Sequence, residues 1–387
     1  LQLLLIADIL YSLNSIEKFF LASRALYVVW SSLMSNRLWI YKTFLFAALV
    51  IAASLFSAAS AAVICTEDSE DAGNCELPIY EWSDASKHFN GIVVTIHGAT
   101  QQASSFDTLA RQLAGQGFLV CSVDLRGHGK WHFKPHQFIG GYTVDYKQSS
   151  FDLERLFAVL KQDHPDLPIY AIGESCGAAV LVSTAARNPD LCKGIILASV
   201  GTHPRHFNPD FIFTDAVAIA KHCGRPLLVS KYIKKYSSDD PRIPQEMLSD
   251  PLSRRSMSVR ELIATVMFIH TTPDNMKKLP EDMPLLMLQG MEDNVCSPTS
   301  VKQIVRKKAG EDKQLIFMQD CGHVLLGTKF IKPQVSKIVI GWLAKHKDMV
   351  IAENSGPVAS SESVQNPVSI LSPDISAEKI SQYVIQN

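Results

Sequence analysis

Apolar residues fall along this chain in short runs separated by polar, glycine-containing turns, and from residue 76 the runs switch period repeatedly. Residues 77–82 alternate in the manner of an edge strand. Residues 91–97, 118–124, 168–172, 194–200, 284–290 and 314–318 are apolar or β-branched almost throughout, as expected of strands buried on both faces. Between them lie segments of helical spacing. Leu109 and Leu113 share a face within residues 106–116, and Leu153, Leu156, Phe157 and Leu160 do so within 144–164, where Pro165 ends the pattern. Further helices are predicted over 176–188, 300–308 and 333–344. Such alternation predicts an α/β domain with a mainly parallel sheet.

The alternation fails in one place. Residues 201–283 are helical in pattern and interrupted by prolines, with no convincing strand, and they separate the strand at 194–200 from the one at 284–290. A segment that long is no simple connection and is expected to form a helical cap. Its two apolar stretches, 210–220 and 266–269, suit either an acyl-chain pocket with lipid contact or plain packing on the sheet domain. The five basic residues Lys221, Arg225, Lys231, Lys234 and Lys235, with no acid among them, read as a solvated face.

The N-terminal side follows another pattern. The first methionine is Met34, followed by Arg37 and Lys42 and then an uncharged run over 43–65 that passes through Ser57 to Ala61. Basic residues, an apolar core and a small-residue exit in that order predict a signal peptide over 34–61, with 1–33 as an upstream extension. An uncleaved anchor through 43–65 is the rival reading. Either one puts the catalytic part outside the cytoplasm, as an exported protein. At the other end, residues 347–387 lack periodicity and read as a flexible tail, with a short helix conceivable over 376–385.

Composition narrows the function. A formal net charge of −1 gives no electrostatic case for nucleic acid. The eight cysteines suit an oxidising compartment, and Cys65–Cys75 and Cys296–Cys321 are the pairings expected to close loops. No HExxH or CxxC spacing suggests a metal, so no metal site is expected.

Chemistry enters with Gly173-Glu174-Ser175-Cys176-Gly177. A strand precedes it and a small-residue helix follows, which is the setting of a nucleophile elbow. A serine hydroxyl needs a base, and the base needs an acid to hold its tautomer. Asp293 follows the strand at 284–290, and His323 follows the one at 314–318. Strand-end loops of a parallel sheet converge, so Ser175, Asp293 and His323 form the expected triad. The expected oxyanion donors are the amides of Cys176 and Ala99, the latter in the turn His97-Gly98-Ala99. Glu174 reads as structural or modulatory, and His97 as a brace for its turn.

These residues, together with Asp124-Leu-Arg-Gly127-His128-Gly129 and Gly322-His323, resemble the α/β-hydrolase superfamily. The nearest branch is that of monoacylglycerol lipases, lysophospholipases and serine-aminopeptidase-like hydrolases. The resemblance spans roughly residues 77–345. It implies the α/β-hydrolase fold, an eight-stranded sheet with a cap after strand six, no cofactor, and a small acyl ester as substrate. Relatives often carry Met after the serine and a second glycine after the elbow, where this chain has Cys176 and Ala178, so its pocket floor differs. An aminopeptidase-like amidase and a non-catalytic ligand-binding homologue are the alternatives. An aspartate-nucleophile dehalogenase or epoxide hydrolase is disfavoured by Ser175.

Overall fold

The computed structural model describes residues 63–67, 76–134, 137, 140–200 and 226–354, the side chains of the last helix as far as residue 347. The expected signal peptide, the extension before it, the apolar stretch 210–220 and the helix at 376–385 lie outside the described residues.

Within them the chain runs β1 (Val63–Glu67), β2 (Ile79–Asp84), β3 (Gly91–Ile96), α1 (Asp107–Ala114), β4 (Phe118–Val123), α2 (Gly129–Phe133), α3 (Tyr146–Asp163), β5 (Ile169–Glu174), α4 (Cys176–Arg187) and β6 (Gly194–Ala198). It continues with β7 (Leu227–Leu228), α5 (Ser230–Tyr236), α6 (Arg242–Ser249), β8 (Ser256–Met257), α7 (Val259–Ile269) and α8 (Thr272–Met276). It closes with β9 (Leu285–Gly290), α9 (Pro298–Val305), β10 (Lys313–Met318) and α10 (Pro333–Asn354).

Eight strands form one sheet in the order β1-β2-β4-β3-β5-β6-β9-β10. β2 runs antiparallel to both neighbours, and every pairing from β4 to β10 is parallel. This is the mostly parallel, helix-flanked sheet that the apolar runs predict. The period of two along each strand divides the core. Ile92, Val94 and Ile96 of β3 face a cluster with Leu153, Leu156 and Phe157 of α3 and Val180 and Leu181 of α4. Val93 between them faces a second cluster with Leu109 and Leu113 of α1 and Val335, Val339 and Trp342 of α10. With both faces covered, central strands have no solvent side to mark with polar residues.

Four expectations need correction. β1 holds Val63 to Cys65, so the last three residues of the supposed anchor run belong to the sheet edge, where they pair with β2. The segment before β9 contains a strand pair after all: β7 and β8 pair antiparallel over two residues each, too short to leave a period in the sequence. α10 runs to Asn354, past the predicted start of the tail at 347, because the first helix-breaking pair, Gly356-Pro357, comes later. The pairing Cys296–Cys321 does not form. Both thiols are buried and free; Cys321 packs among Val335, Val339 and Leu343, while Cys296 turns towards the carbonyl oxygen of Ser199. Cys65 is also a free thiol, packed against the α1–α10 cluster, and Cys75 lies outside the described residues.

Candidate active site

All six parallel strands from β4 to β10 end on one edge of the sheet, and the candidate residues sit just beyond those ends. Ser175 follows β5 with φ 55° and ψ −117°, a backbone conformation costing on the order of 1–3 kcal/mol outside glycine. Its amide donates to the Ala198 carbonyl (2.9 Å), which anchors the turn on β6. The flanking glycines follow from space. A Cβ on Gly177 would strike the carbonyl oxygen of Ile96, and one on Gly173 would meet the Ala178 backbone at 2.7 Å. The strand-to-helix turn closes only with a hydrogen at both positions.

Asp293 lies beyond β9 and is fully buried. One carboxylate oxygen accepts from the amides of Val295 (2.7 Å) and Cys296 (2.8 Å). The other accepts from Gln289 Nε2 (2.8 Å) and faces His323 Nδ1 at 2.9 Å. Burial opposes its ionisation, but the positive charge available on His323 and these hydrogen bonds hold its pKa below the ordinary value. His323, beyond β10, is 8% exposed and places Nε2 at 2.9 Å from Ser175 Oγ. Burial alone would lower the imidazole pKa; the Asp293 carboxylate outweighs it and raises the value well above the usual one. The structure thus brings Ser175, His323 and Asp293 into one hydrogen-bonded chain.

Cys176 follows the serine directly, and the turn holding Ala99 approaches it at Gly98, where an added Cβ would lie 3.4 Å from Ser175 Cβ. Neither the Ala99 nor the Cys176 amide donates a hydrogen bond among the described residues, whereas the Gly98 amide donates to Gln101 Oε1 at 3.1 Å. The turn holding Ala99 is braced from several sides. His128 Nε2 donates to the Ala99 carbonyl (2.7 Å), His97 Nδ1 to the Gly98 carbonyl (2.8 Å), and the Leu125 amide donates to His97 Nε2 (3.0 Å). Burial drives the pKa of His97 down to about 4 and that of His128 to about 3, so both are neutral props rather than proton carriers. Asp124 is structural too, accepting from the amides of Ala103 (2.7 Å) and Lys130 (2.8 Å).

Sequence reasoning leaves several contributors unassigned. Ser199, at the end of β6, donates from Oγ to the His323 carbonyl (2.6 Å). Its strand-end position was the available signal. Gln289 and Gln101 are buried amides; Gln289 serves Asp293 just beyond its own strand, and Gln101 reaches the Gly327 carbonyl (2.6 Å) in the loop after His323. Tyr146 at the start of α3 has a buried hydroxyl beside the Cys176 thiol and Thr265 of α7, with no hydrogen bond among the described residues. Burial raises the Cys176 thiol to about 11, so it is no competing nucleophile.

One cluster has metal-ligand character: atoms of Asp293, Cys296 and His323 lie within 4.8 Å of one another. Burial raises the Cys296 thiol, and Asp293 and His323 are engaged with each other, so a cation there would have to break the acid–imidazole bond. The donor set fits a proton chain better than a metal centre.

Above the site, residues 226–283 meet the sheet domain through α7. Phe268 lies 5.6 Å from the Tyr146 ring, and Leu262 and Ile269 pack on the core. Ile263, Val266 and Met267 are exposed, Met267 by 67%.

Comparison with known proteins agrees with this architecture. The family model for Hydrolase_4 (serine aminopeptidase, S33) matches residues 87–329. A monoacylglycerol lipase from Mycolicibacterium smegmatis is 24% identical over 266 residues, 66% of this chain and 89% of that protein. A monoglyceride lipase from Mus musculus is 28% identical over 240 residues, 60% of this chain and 75% of that protein. Among solved structures, a soluble variant of the Saccharomyces cerevisiae monoglyceride lipase in complex with a substrate analog superposes with a TM-score of 0.57 at 18% identity. It covers 70% of this chain and 92% of that one. At such identity the structural likeness is one of fold.

Proposed function

This chain belongs to the serine aminopeptidase S33 family and is an α/β-hydrolase of the lipase and esterase kind, and we propose that it cleaves monoacylglycerol or lysophospholipid-type esters through an acyl-enzyme on Ser175. The observation that carries the reading is the unbroken chain Ser175 Oγ–His323 Nε2 and His323 Nδ1–Asp293 Oδ2, each link 2.9 Å.

In this mechanism His323 takes the Ser175 proton as Oγ attacks the ester carbonyl. Asp293 keeps the His323 proton on Nδ1 and stabilises the imidazolium. The amides of Ala99 and Cys176 donate to the oxyanion. His323 then passes its proton to the departing alcohol, and water, deprotonated by the same imidazole, releases the acid. The positive charge that His323 gains faces the Asp293 carboxylate at 2.9 Å, which stabilises it.

The acyl-ester preference draws on the monoacylglycerol and monoglyceride lipases among the relatives and on the apolar side chains of α7 over the site. Exposed Ile263, Val266 and Met267 suit contact with a lipid surface. Export, which follows from the N-terminal pattern, is part of the same proposal, and N-terminal sequencing of the mature protein tests it.

Labelling with a fluorophosphonate probe and mapping the adduct tests the mechanism: the adduct is expected on Ser175 and is lost in Ser175→Ala. An unlabelled wild type would favour a ligand-binding homologue without activity. A panel of p-nitrophenyl esters, monoacylglycerols, lysophospholipids and aminoacyl anilides tests the substrate. The family's aminopeptidase description keeps the amidase as a second reading, and turnover of the anilides above the esters would support it.

A further inference from the structure

Glu174 is the last residue of β5, immediately before Ser175, and it is wholly buried. Its carboxylate collects three backbone amides from the loop that follows His323. Oε1 accepts from Leu325 (2.7 Å) and Leu326 (2.8 Å), and Oε2 accepts from Gly327 (3.0 Å). The carbonyl of that same Gly327 accepts from Gln101 Nε2 (2.6 Å), and Gln101 Oε1 accepts from the Gly98 amide. A continuous hydrogen-bonded path therefore joins the nucleophile's strand to the histidine loop and on to the turn that holds Ala99.

The identity of the residue matters at each joint. Only a carboxylate offers two acceptor atoms to three convergent N–H groups; a glutamine would turn its NH₂ towards the Gly327 amide, donor against donor. A Cβ on Gly327 would come within 2.5 Å of Gln101 Nε2 and 2.9 Å of Glu174 Oε2, so a side chain there would push both groups off the hub. Burial pushes the Glu174 pKa up, and the three amides work against that. Asp293 already serves the imidazole, so a second buried acid is not needed for proton transfer.

We propose that Glu174 is a positioning residue for ester hydrolysis: through Leu325, Leu326 and Gly327 it holds His323 in register with Ser175, and through Gly327 and Gln101 it sets the turn that presents the Ala99 amide. The proposal rests on the reading of Ser175, His323 and Asp293 given above. A misplacement of about 1 Å at such a site costs on the order of 100-fold in rate, so loosening the clamp registers in kcat before it registers in binding.

The experiment compares wild type, Ser175→Ala, Glu174→Gln, Gln101→Ala and the Glu174→Gln/Gln101→Ala double variant in the full chain. It measures p-nitrophenyl ester kinetics, fluorophosphonate labelling rate, circular dichroism and thermal midpoint, with kcat normalised to active sites titrated by the acylation burst. Glu174→Gln is expected to lower kcat by about 10- to 100-fold with KM changed by less than about twofold, and to slow labelling in parallel. Gln101→Ala is expected to lower kcat by about 10-fold, and the double variant to be no worse than Glu174→Gln, because both cut one path. The downfield imidazole proton between His323 and Asp293 is expected to broaden in Glu174→Gln, a change that a general loss of stability would not produce. A normalised kcat for Glu174→Gln within about twofold of wild type, or a rise in KM alone, overturns the proposal. Should Glu174→Gln fail to fold, Gln101→Ala decides by the same criterion. A wild type that takes no probe brings down the Ser175 reading and this proposal with it, whereas a labelled wild type with an unimpaired Glu174→Gln removes Glu174 alone.

Discussion

Ser175, Asp293 and His323 hang from three strand ends, and buried side chains of the sheet domain, Ser199, Glu174 and Gln289 among them, fix the loops that carry them. Residues 226–283 join the sheet domain through buried apolar side chains such as Ile233, Ile243, Met247 and Met276. Backbone bonds from the Arg254 amide to the Thr100 carbonyl (3.1 Å) and from the Val324 amide to the Ser237 carbonyl (2.9 Å) add to this, as do side-chain tethers. Arg254 donates to the Gly127 carbonyl and pairs with Glu261 at 2.6 Å, and Glu261 accepts from the Val144 amide at 3.1 Å. Glu246 accepts from Thr328 Oγ1 (2.5 Å) and the Lys329 amide (3.1 Å), and Gln102 Nε2 donates to Asp250 (3.0 Å). The triad thus sits on loops tied to the sheet, while part of the hold on the segment over it lies in side-chain tethers that a single substitution removes. The proposed chemistry belongs to the first region, and the proposed recognition of an acyl ester to the second.

The largest effect expected from the first region is that of Asp293→Asn. It leaves the site's shape but removes the charge that holds the imidazole tautomer, for a fall of about 10⁴-fold in kcat. The reactive form of His323 is neutral, so kcat/KM of the wild type rises with pH through the raised His323 pKa, and the acid limb lies above the ordinary histidine value. With the carboxylate gone the imidazole loses its main elevating charge, and the limb moves to lower pH. A pH–rate profile of the two proteins checks both statements.

Arg254→Met tests the second region by its tethers. It removes the charged partner of Glu261, which keeps its hydrogen bonds from the Val144 and Ser258 amides, at a cost of about 1.5–3 kcal/mol read from urea unfolding. KM for long-chain esters is expected to rise more than kcat falls. A fall in kcat at unchanged KM would erase the distinction between the regions.

Tyr146→Phe comes next. Its hydroxyl has no partner among the described residues, so stability changes by about 1 kcal/mol or less. KM is expected to rise several-fold for monoacylglycerol and to stay level for p-nitrophenyl esters. Met267→Glu is expected to have the smallest effect, with soluble esters turned over as in wild type and only micellar or vesicle-borne substrate slowed.

The parallel sheet was legible because its strands are buried on both faces, which leaves uninterrupted apolar runs between turns. Ser175, Asp293 and His323 were legible because each follows such a run. Glu174 and Gln101 were not, since their partners lie on loops distant in sequence, and no local pattern records an amide that will arrive from another strand end. β1 was hidden for a different reason: Val63, Ile64 and Cys65 continue the uncharged run that begins at Thr43, so hydropathy does not mark where the strand starts. The cysteines misled because compositional logic favours pairing. Cys296 and Cys321 instead fill separate buried sites.

β1 also limits how far the N-terminus can be trimmed. Val63 pairs with Asp84, its carbonyl accepts from Arg111 at 3.0 Å, and Glu67 at the strand's other end reaches buried Lys130 at 3.3 Å. Processing that stops before Val63 leaves this border strand in place. Processing that runs beyond it would strip the cover from β2 and leave a row of unpaired N–H and C=O groups open to the edge of another molecule. Val63 is therefore a solubility boundary, and a chain starting at residue 68 is expected to form aggregates that a chain starting at residue 62 does not.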